Sequence, residues 1–211
     1  MILMLSLFLY GSGKIIHSIQ KTLIVVLDAG HGGIDGGCVG RDGTMEKDLN
    51  LEVVMALKKI FEENGYETIL TRDKDYDLAS KNASNRKSED IRKRVKIIND
   101  SKALLYLSIH CNSFPEQSVH GAQVFYKHND NLCKSLAENI QESIKERLKN
   151  TNRFAKTISD KFILDNSEIV GCLVEIGFLS NPNELNNLKN KEYQRELSLS
   201  IYHGVAKFLE S

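Results

Sequence analysis

The chain has no excess of either charge, with 28 lysines and arginines against 28 aspartates and glutamates. Gathering nucleic acid or binding an anionic membrane surface needs a field of one sign, so neither partner is indicated. The nearest approach to a basic patch is Lys81, Arg86, Lys87, Arg92, Lys93, Arg94 and Lys96. Glu89 and Asp90 interrupt it, and it reads as the solvated face of a helix. The four cysteines, Cys38, Cys111, Cys133 and Cys172, show no CxxC spacing. That leaves no zinc knuckle and no thioredoxin-like redox pair. A chain of 211 residues draws its stability from its core, so these cysteines are expected as small, mostly buried side chains rather than a disulfide framework.

The apolar run from Ile2 to Tyr10 is too short to span a bilayer. It has the length of a signal-peptide core, and Gly11, Ser12 and Gly13 stand where a peptidase would cut, but the basic start is missing. Residues 1–21 are therefore expected as a signal-like leader or membrane anchor, with export as the consequence. A single domain is expected over residues 22–211.

Several reaction classes lack their signatures. There is no P-loop, because no glycine-rich stretch ends in Gly-Lys-Ser/Thr, and the GxGxxG reading that begins at Gly30 and Gly32 fails at Asp35. HExxH and GxSxG are absent. Cys111 beside His110 is not a thiol–imidazole pair, since adjacent residues on a strand point to opposite faces.

What the sequence does contain is "VVLDAGHGGIDGG", from Val25 to Gly37, where an apolar strand runs into a histidine set among five glycines. One or two glycines suffice for a turn, so the excess implies that something approaches the backbone closely. The rest of the chain alternates strand and helix patterns. Thr22 to Leu27 reads as a buried strand, and Glu46 to Asn64 as an amphipathic helix with Gly65 at its end. "YETILTR" reads as a strand, Asp73 to Ser88 as a long polar loop, and Ser88 to Asn99 as a helix. "ALLYLSIH", "GAQVFYK" and "GCLVEIGFLS" read as further strands. Leu132, Leu136, Ile140, Ile144 and Leu148 mark a helix, and Asn183 to Leu209 a final helical stretch. This order predicts an α/β fold: a mostly parallel central sheet of about six strands with helices on both faces, in one domain.

Such sheets place ligand sites at the carboxyl ends of their strands. His31 and His110 stand at two of those ends, Glu175 lies in a third strand, and Glu46 opens the helix after the glycine loop. Two imidazoles and a carboxylate are a catalytic zinc ligand set. Each piece has an ordinary alternative: a hydrogen-bonded histidine at a strand end, or for Glu46 an acid favoured in a first helical turn. Glu175 is harder to explain away, since a carboxylate in an apolar strand needs a partner or a metal. Spacing leaves open which glutamate binds metal and which acts as base. His17, His120, His128 and His203 have no partner pattern and read as structural or surface residues.

With "LDAGHGGIDGG" and Glu46, "RVKIIN" from Arg94, "YLSIHCNS" from Tyr106, "HGAQVFY" from His120 and "LVEIGFLSNPNE" from Leu173, the chain resembles the zinc-dependent N-acetylmuramoyl-L-alanine amidases of amidase family 3. The resemblance runs from about Leu23 to the C-terminus. It implies Zn2+ held by His31, Glu46 and His110, with Glu175 as the catalytic glutamate. It also implies cleavage of the amide between N-acetylmuramic acid and the L-alanine of the stem peptide in peptidoglycan. Cys111 departs from the alanine of many members, and Ile169, Val170 and Gly171 replace a common proline-bearing approach to the last strand. A leader followed by one catalytic domain is similar to germination-specific amidases of the spore cortex, which implies a cell-wall or spore-envelope location. Asp28 and Asn112 are candidates to orient a ligand histidine or contact substrate. The competing readings are a zinc peptidase cutting within the stem peptide and a non-catalytic wall-binding protein. A protein partner or a dimer is neither required nor excluded by these motifs.

Overall fold

The computed structural model describes residues 23–211. The expected leader and His17 lie outside the described residues. Six strands form one sheet in the order β2-β1-β3-β6-β4-β5, built from β1 (Leu23–Ala29), β2 (Tyr66–Leu70), β3 (Leu105–Asn112), β4 (Gln123–Tyr126), β5 (Lys156–Thr157) and β6 (Gly171–Phe178). Neighbours pair in parallel except β4 with β6, which run antiparallel. The reversal brings the beginning of β4 beside the end of β6, so residues before β4 reach the same edge as the strand ends that carry the chemistry.

The helices divide between the two faces according to strand alternation. Val25, Leu27 and Ala29 of β1 face α1 (Glu46–Glu63), α3 (Asn131–Leu148) and α6 (Lys191–Leu209) in the larger core. Val26, one residue out of step, faces α2 (Arg86–Asp100) and α4 (Phe162–Asn166) on the other side. β6 is buried at every position, as a strand covered on both faces must be. In α3, Leu136, Ile140 and Ile144 are fully buried, each contributing roughly 1.5–3 kcal/mol through transfer from water. Leu132 of the same expected stripe is 59% exposed, because four-residue steps drift round the helix and Cys133 faces the sheet in that turn instead.

Three local readings are corrected. The second helix begins at Arg86, two residues earlier than expected, because Asn85 supplies the cap and its side chain accepts from the Ser88 N–H at 3.0 Å. The final helical stretch is two helices, α5 (Pro182–Lys189) and α6. Asn190 sits extended between them and caps α6 by accepting from the N–H groups of Glu192 and Tyr193. The short elements β5 and α4 carry too few residues for a periodic signal and were not expected.

Candidate metal centre

His31 leaves the end of β1 in the left-handed region, with φ of 62°. Histidine tolerates that conformation better than branched residues, at a cost of about 1 kcal/mol. The turn aims its ring back over the sheet. His110 comes from the end of β3, and Glu46 from the first residue of α1. His31 Nε2 lies 3.2 Å and His110 Nδ1 2.9 Å from the same oxygen, Glu46 Oε1. The two rings stand edge to face with centroids 5.0 Å apart. One donor atom from each of these three residues lies within 4.8 Å of the others.

The glycines explain themselves here. A Cβ on Gly30 would fall 2.2 Å from the His110 ring, and one on Gly37, at φ +68°, would fall 2.6 Å from Glu46 Oε2. Side chains at either place would fill the space in which the three donors meet. The donor set and the cleared cradle together fit a divalent ion of borderline softness.

Glu46 is 2% exposed. Its Oε2 accepts from the Cys38 N–H at 2.8 Å, and Oε1 accepts from the Cys111 N–H at 3.1 Å and from Asn50 Nδ2 at 3.3 Å. Burial alone would raise its pKa, but hydrogen bonds to His110 and His31 and their charges hold it far below the usual carboxylate range. Glu46 is therefore an anion in place before any ligand arrives. His31 is held from its far side by Asp35, whose Oδ2 lies 2.9 Å from His31 Nδ1, while Asp35 Oδ1 pairs with Lys87 at 2.9 Å. A carboxylate on the outer nitrogen fixes both the orientation and the tautomer of a ligand imidazole.

Glu175 pairs in register with His110 across β3 and β6. The groove it lines is also bounded by Lys161 and Asn112. It is 8% exposed, and its Oε2 is buried with no hydrogen-bond partner among the described residues. Burial, reinforced by the Glu46 charge against the opposing pull of His110, raises its pKa. A buried carboxyl group with a raised pKa, beside the donor set of His31, Glu46 and His110, is a candidate for proton transfer. Cys38 also borders the groove, but burial and Glu46 push its thiol up to about 11, so it is no nucleophile at neutral pH.

All four principal candidates from the sequence, His31, Glu46, His110 and Glu175, converge on this groove. Asp28 does not touch either ring. Alternation along β1 sends it to the α2 face, where Oδ2 accepts from Ser108 at 2.6 Å and Oδ1 from Thr71 at 2.7 Å and Arg94 at 2.8 Å. Asn112 borders the groove, but its Oδ1 accepts from the neighbouring Ser113 N–H rather than orienting a histidine. Arg94 is a further correction. Far from lying on a solvated face, it is 1% exposed and donates to Asp28, Asp90 and the carbonyl oxygens of Ala29 and His31. Arg72, also 1% exposed, donates to the carbonyls of Ala29, Gly30, Lys47 and Lys74. No site role follows from the sequence for Asp35, Lys87, Lys161 or Arg72, with Lys87 read only as part of a solvated helix face; only the four-residue step from His31 to Asp35 carried a local signal. His120, His128 and His203 are exposed, as expected. The cysteines form no disulfide, and all but the half-buried Cys38 are buried.

The profile of a family described as N-acetylmuramoyl-L-alanine amidase matches residues 25–207. The chain is 44% identical over 190 residues to the germination-specific N-acetylmuramoyl-L-alanine amidase of Bacillus subtilis (strain 168), covering 88% of this chain and 79% of that protein. Among solved structures it is similar to the CwlD amidase of Clostridioides difficile in complex with the GerS lipoprotein, with a TM-score of 0.87 and 36% identity over 90% of this chain and 99% of that one. The N-acetylmuramoyl-L-alanine amidase of Clostridium difficile 630 superposes with a TM-score of 0.81 at 27% identity, covering 90% of this chain and 98% of that one.

Proposed function

The chain belongs to the N-acetylmuramoyl-L-alanine amidase family and is an amidase of peptidoglycan; from that premise we propose how its residues perform the reaction, with which metal and where. His31, Glu46 and His110 hold Zn2+, and Glu175 is the general base and then the general acid. The observation that carries this reading is the pair of glutamates in opposite states. Glu46 is held anionic among hydrogen-bond donors, while Glu175 keeps a buried oxygen free and a raised pKa. Two carboxylates whose surroundings drive them apart divide the ligand and proton-transfer roles between them.

A bound zinc ion supplies Lewis acidity toward the scissile carbonyl and brings the pKa of water down to about 7. The chain supplies the remainder. Glu46 stays fixed by the N–H groups of Cys38 and Cys111, and Asp35 keeps the His31 ring from rotating. Glu175 accepts the proton of the attacking water and delivers it to the nitrogen of L-alanine as the amide breaks, which restores its starting state. Lys161 adds positive charge at the groove wall beside Glu175.

The similarity to a germination-specific enzyme supports action on spore cortex by a protein exported to the cell wall or spore envelope. Among the described residues, no helix is long and apolar enough to cross a membrane, and residues 1–21 remain a signal-like leader or anchor in this proposal. The likeness to an amidase solved with a lipoprotein supports a protein partner for this chain. Product analysis on purified peptidoglycan tests the reaction. An amidase releases whole stem peptides and leaves the glycan intact; shortened peptides still attached to the sugar would mark a peptidase instead.

A further inference from the structure

A second cleft opens at the same end of the sheet, outside the metal centre. It has a volume of about 360 Å3, and its walls include Asn150, Asn152, Asn181, Asn183, Asn187 and His120. Its floor is Glu184, whose two oxygens accept from the N–H groups of Gly121, before β4, and Phe178, the last residue of β6. Phe178 follows Glu175 by three residues, which is about 10 Å along an extended strand. The cleft is therefore a neighbour of the catalytic groove on one continuous edge.

Its walls are built rather than loose. Thr151 Oγ1 donates to the Ala122 carbonyl at 3.0 Å, Asn181 Nδ2 to the Gln117 carbonyl at 2.9 Å, and Arg153 Nε to the His120 carbonyl at 3.0 Å. Asn150 donates to the Tyr193 hydroxyl at 2.6 Å, yet its Oδ1 is buried with no partner among the described residues. The side-chain amides of Asn152, Asn183 and Asn187 bond to nothing among the described residues. These three amides are exposed, and each offers two donors and an acceptor at once. That combination matches hydroxyl and acetamido groups. Lys149 at the rim and Arg153 behind the His120 carbonyl face one carboxylate, Glu184, so inorganic phosphate is the competing ligand that the test must distinguish.

We infer that this cleft is a subsite for a neutral N-acetylated sugar of the glycan strand, next to the muramoyl residue whose amide is cut. The inference rests on the peptidoglycan reading of the metal centre and adds a glycan contact to it. Its role is to hold the polymer in register, so it acts on substrate length and leaves bond cleavage alone.

The test uses the full chain and the triple variant Asn152→Ala, Asn183→Ala, Asn187→Ala, whose three side chains are exposed and outside the core. Amide chemical shifts are followed with chitotetraose, a soluble β-1,4-linked N-acetylglucosamine oligomer, and separately with inorganic phosphate and free stem peptide. In the wild type only chitotetraose is expected to shift the signals of this cleft, and the triple variant is expected to lose that response. Kinetically, losing three hydrogen-bonding groups raises KM on polymeric peptidoglycan about tenfold, with kcat and turnover of a monomeric muramoyl peptide unchanged. Chitotetraose shifts confined to other surfaces, a response to phosphate or stem peptide instead, or an unchanged variant would each overturn the inference. The binding experiment needs no turnover, so failure of the amidase reading would show separately, as inactivity on both substrates.

Discussion

Arg94 Nη2 donates to the carbonyl oxygen of His31 at 2.6 Å, across 63 residues of sequence. The same guanidinium holds the carbonyl of Ala29 at 2.5 Å and the carboxylates of Asp28 and Asp90. A planar fork with five donors fits two carboxylates and two carbonyls, and a lysine ammonium does not. Arg94 therefore positions His31, a proposed metal ligand, through its backbone, from the opposite face of the sheet.

Replacing Arg94 by Lys keeps the charge but not the fork. Zinc affinity is expected to fall about 10- to 100-fold, as when outer hydrogen-bond partners of ligand histidines are lost. Competition with a chromophoric chelator measures it. Unchanged affinity in a folded variant would mean that His31 holds its left-handed turn unaided.

The Asp28 carboxylate gives the fold an acid limit. Burial alone would raise its pKa, but Arg94, with hydrogen bonds from Ser108 and Thr71, outweighs burial and holds it below its ordinary value of 3.8. A depressed carboxylate contributes stability that is fully present above the unfolded pKa and lost as pH falls through the folded one. Unfolding free energy should therefore decline below about pH 4. Asp28→Asn should lower stability at pH 7 by about 3 kcal/mol, because it leaves part of a buried arginine uncompensated. It should also flatten the acid slope. Urea titrations between pH 3 and 7 check both, and an unaltered slope would remove Asp28 from the account.

Gly30→Ala probes the cradle. The added methyl meets the His110 ring at 2.2 Å, well inside contact distance, so the ring must leave the place where it meets Glu46. The variant is expected to fold with near-native circular dichroism and to bind less than a tenth of the wild-type zinc, read by atomic emission. Full zinc content would show that His110 is not held where the ion binds.

The glycine-rich turn, the two strand-end histidines and the two glutamates were legible because each sits beside a local signal: a strand's apolar run, or a helix start. The alternation of strands and helices likewise marked a mostly parallel sheet. What escaped was long-range or very short. Arg94 looks like any charge on an amphipathic helix, and only packing of α2 against the β1 turn reveals it as buried. Asp28 reads as a neighbour of His31, yet the strand's period of two turns it to the other face. β5 has two residues and α4 five, too few to show a period. The break at Asn190 interrupts an apolar pattern that otherwise runs on into α6.

Zinc bound per chain in two single variants, Glu175→Gln and Glu46→Gln, tests the division of labour between the glutamates most directly. One zinc retained in the inactive Glu175→Gln protein, with loss of zinc in Glu46→Gln, is the expected result. Zinc lost from Glu175→Gln and kept by Glu46→Gln would contradict it.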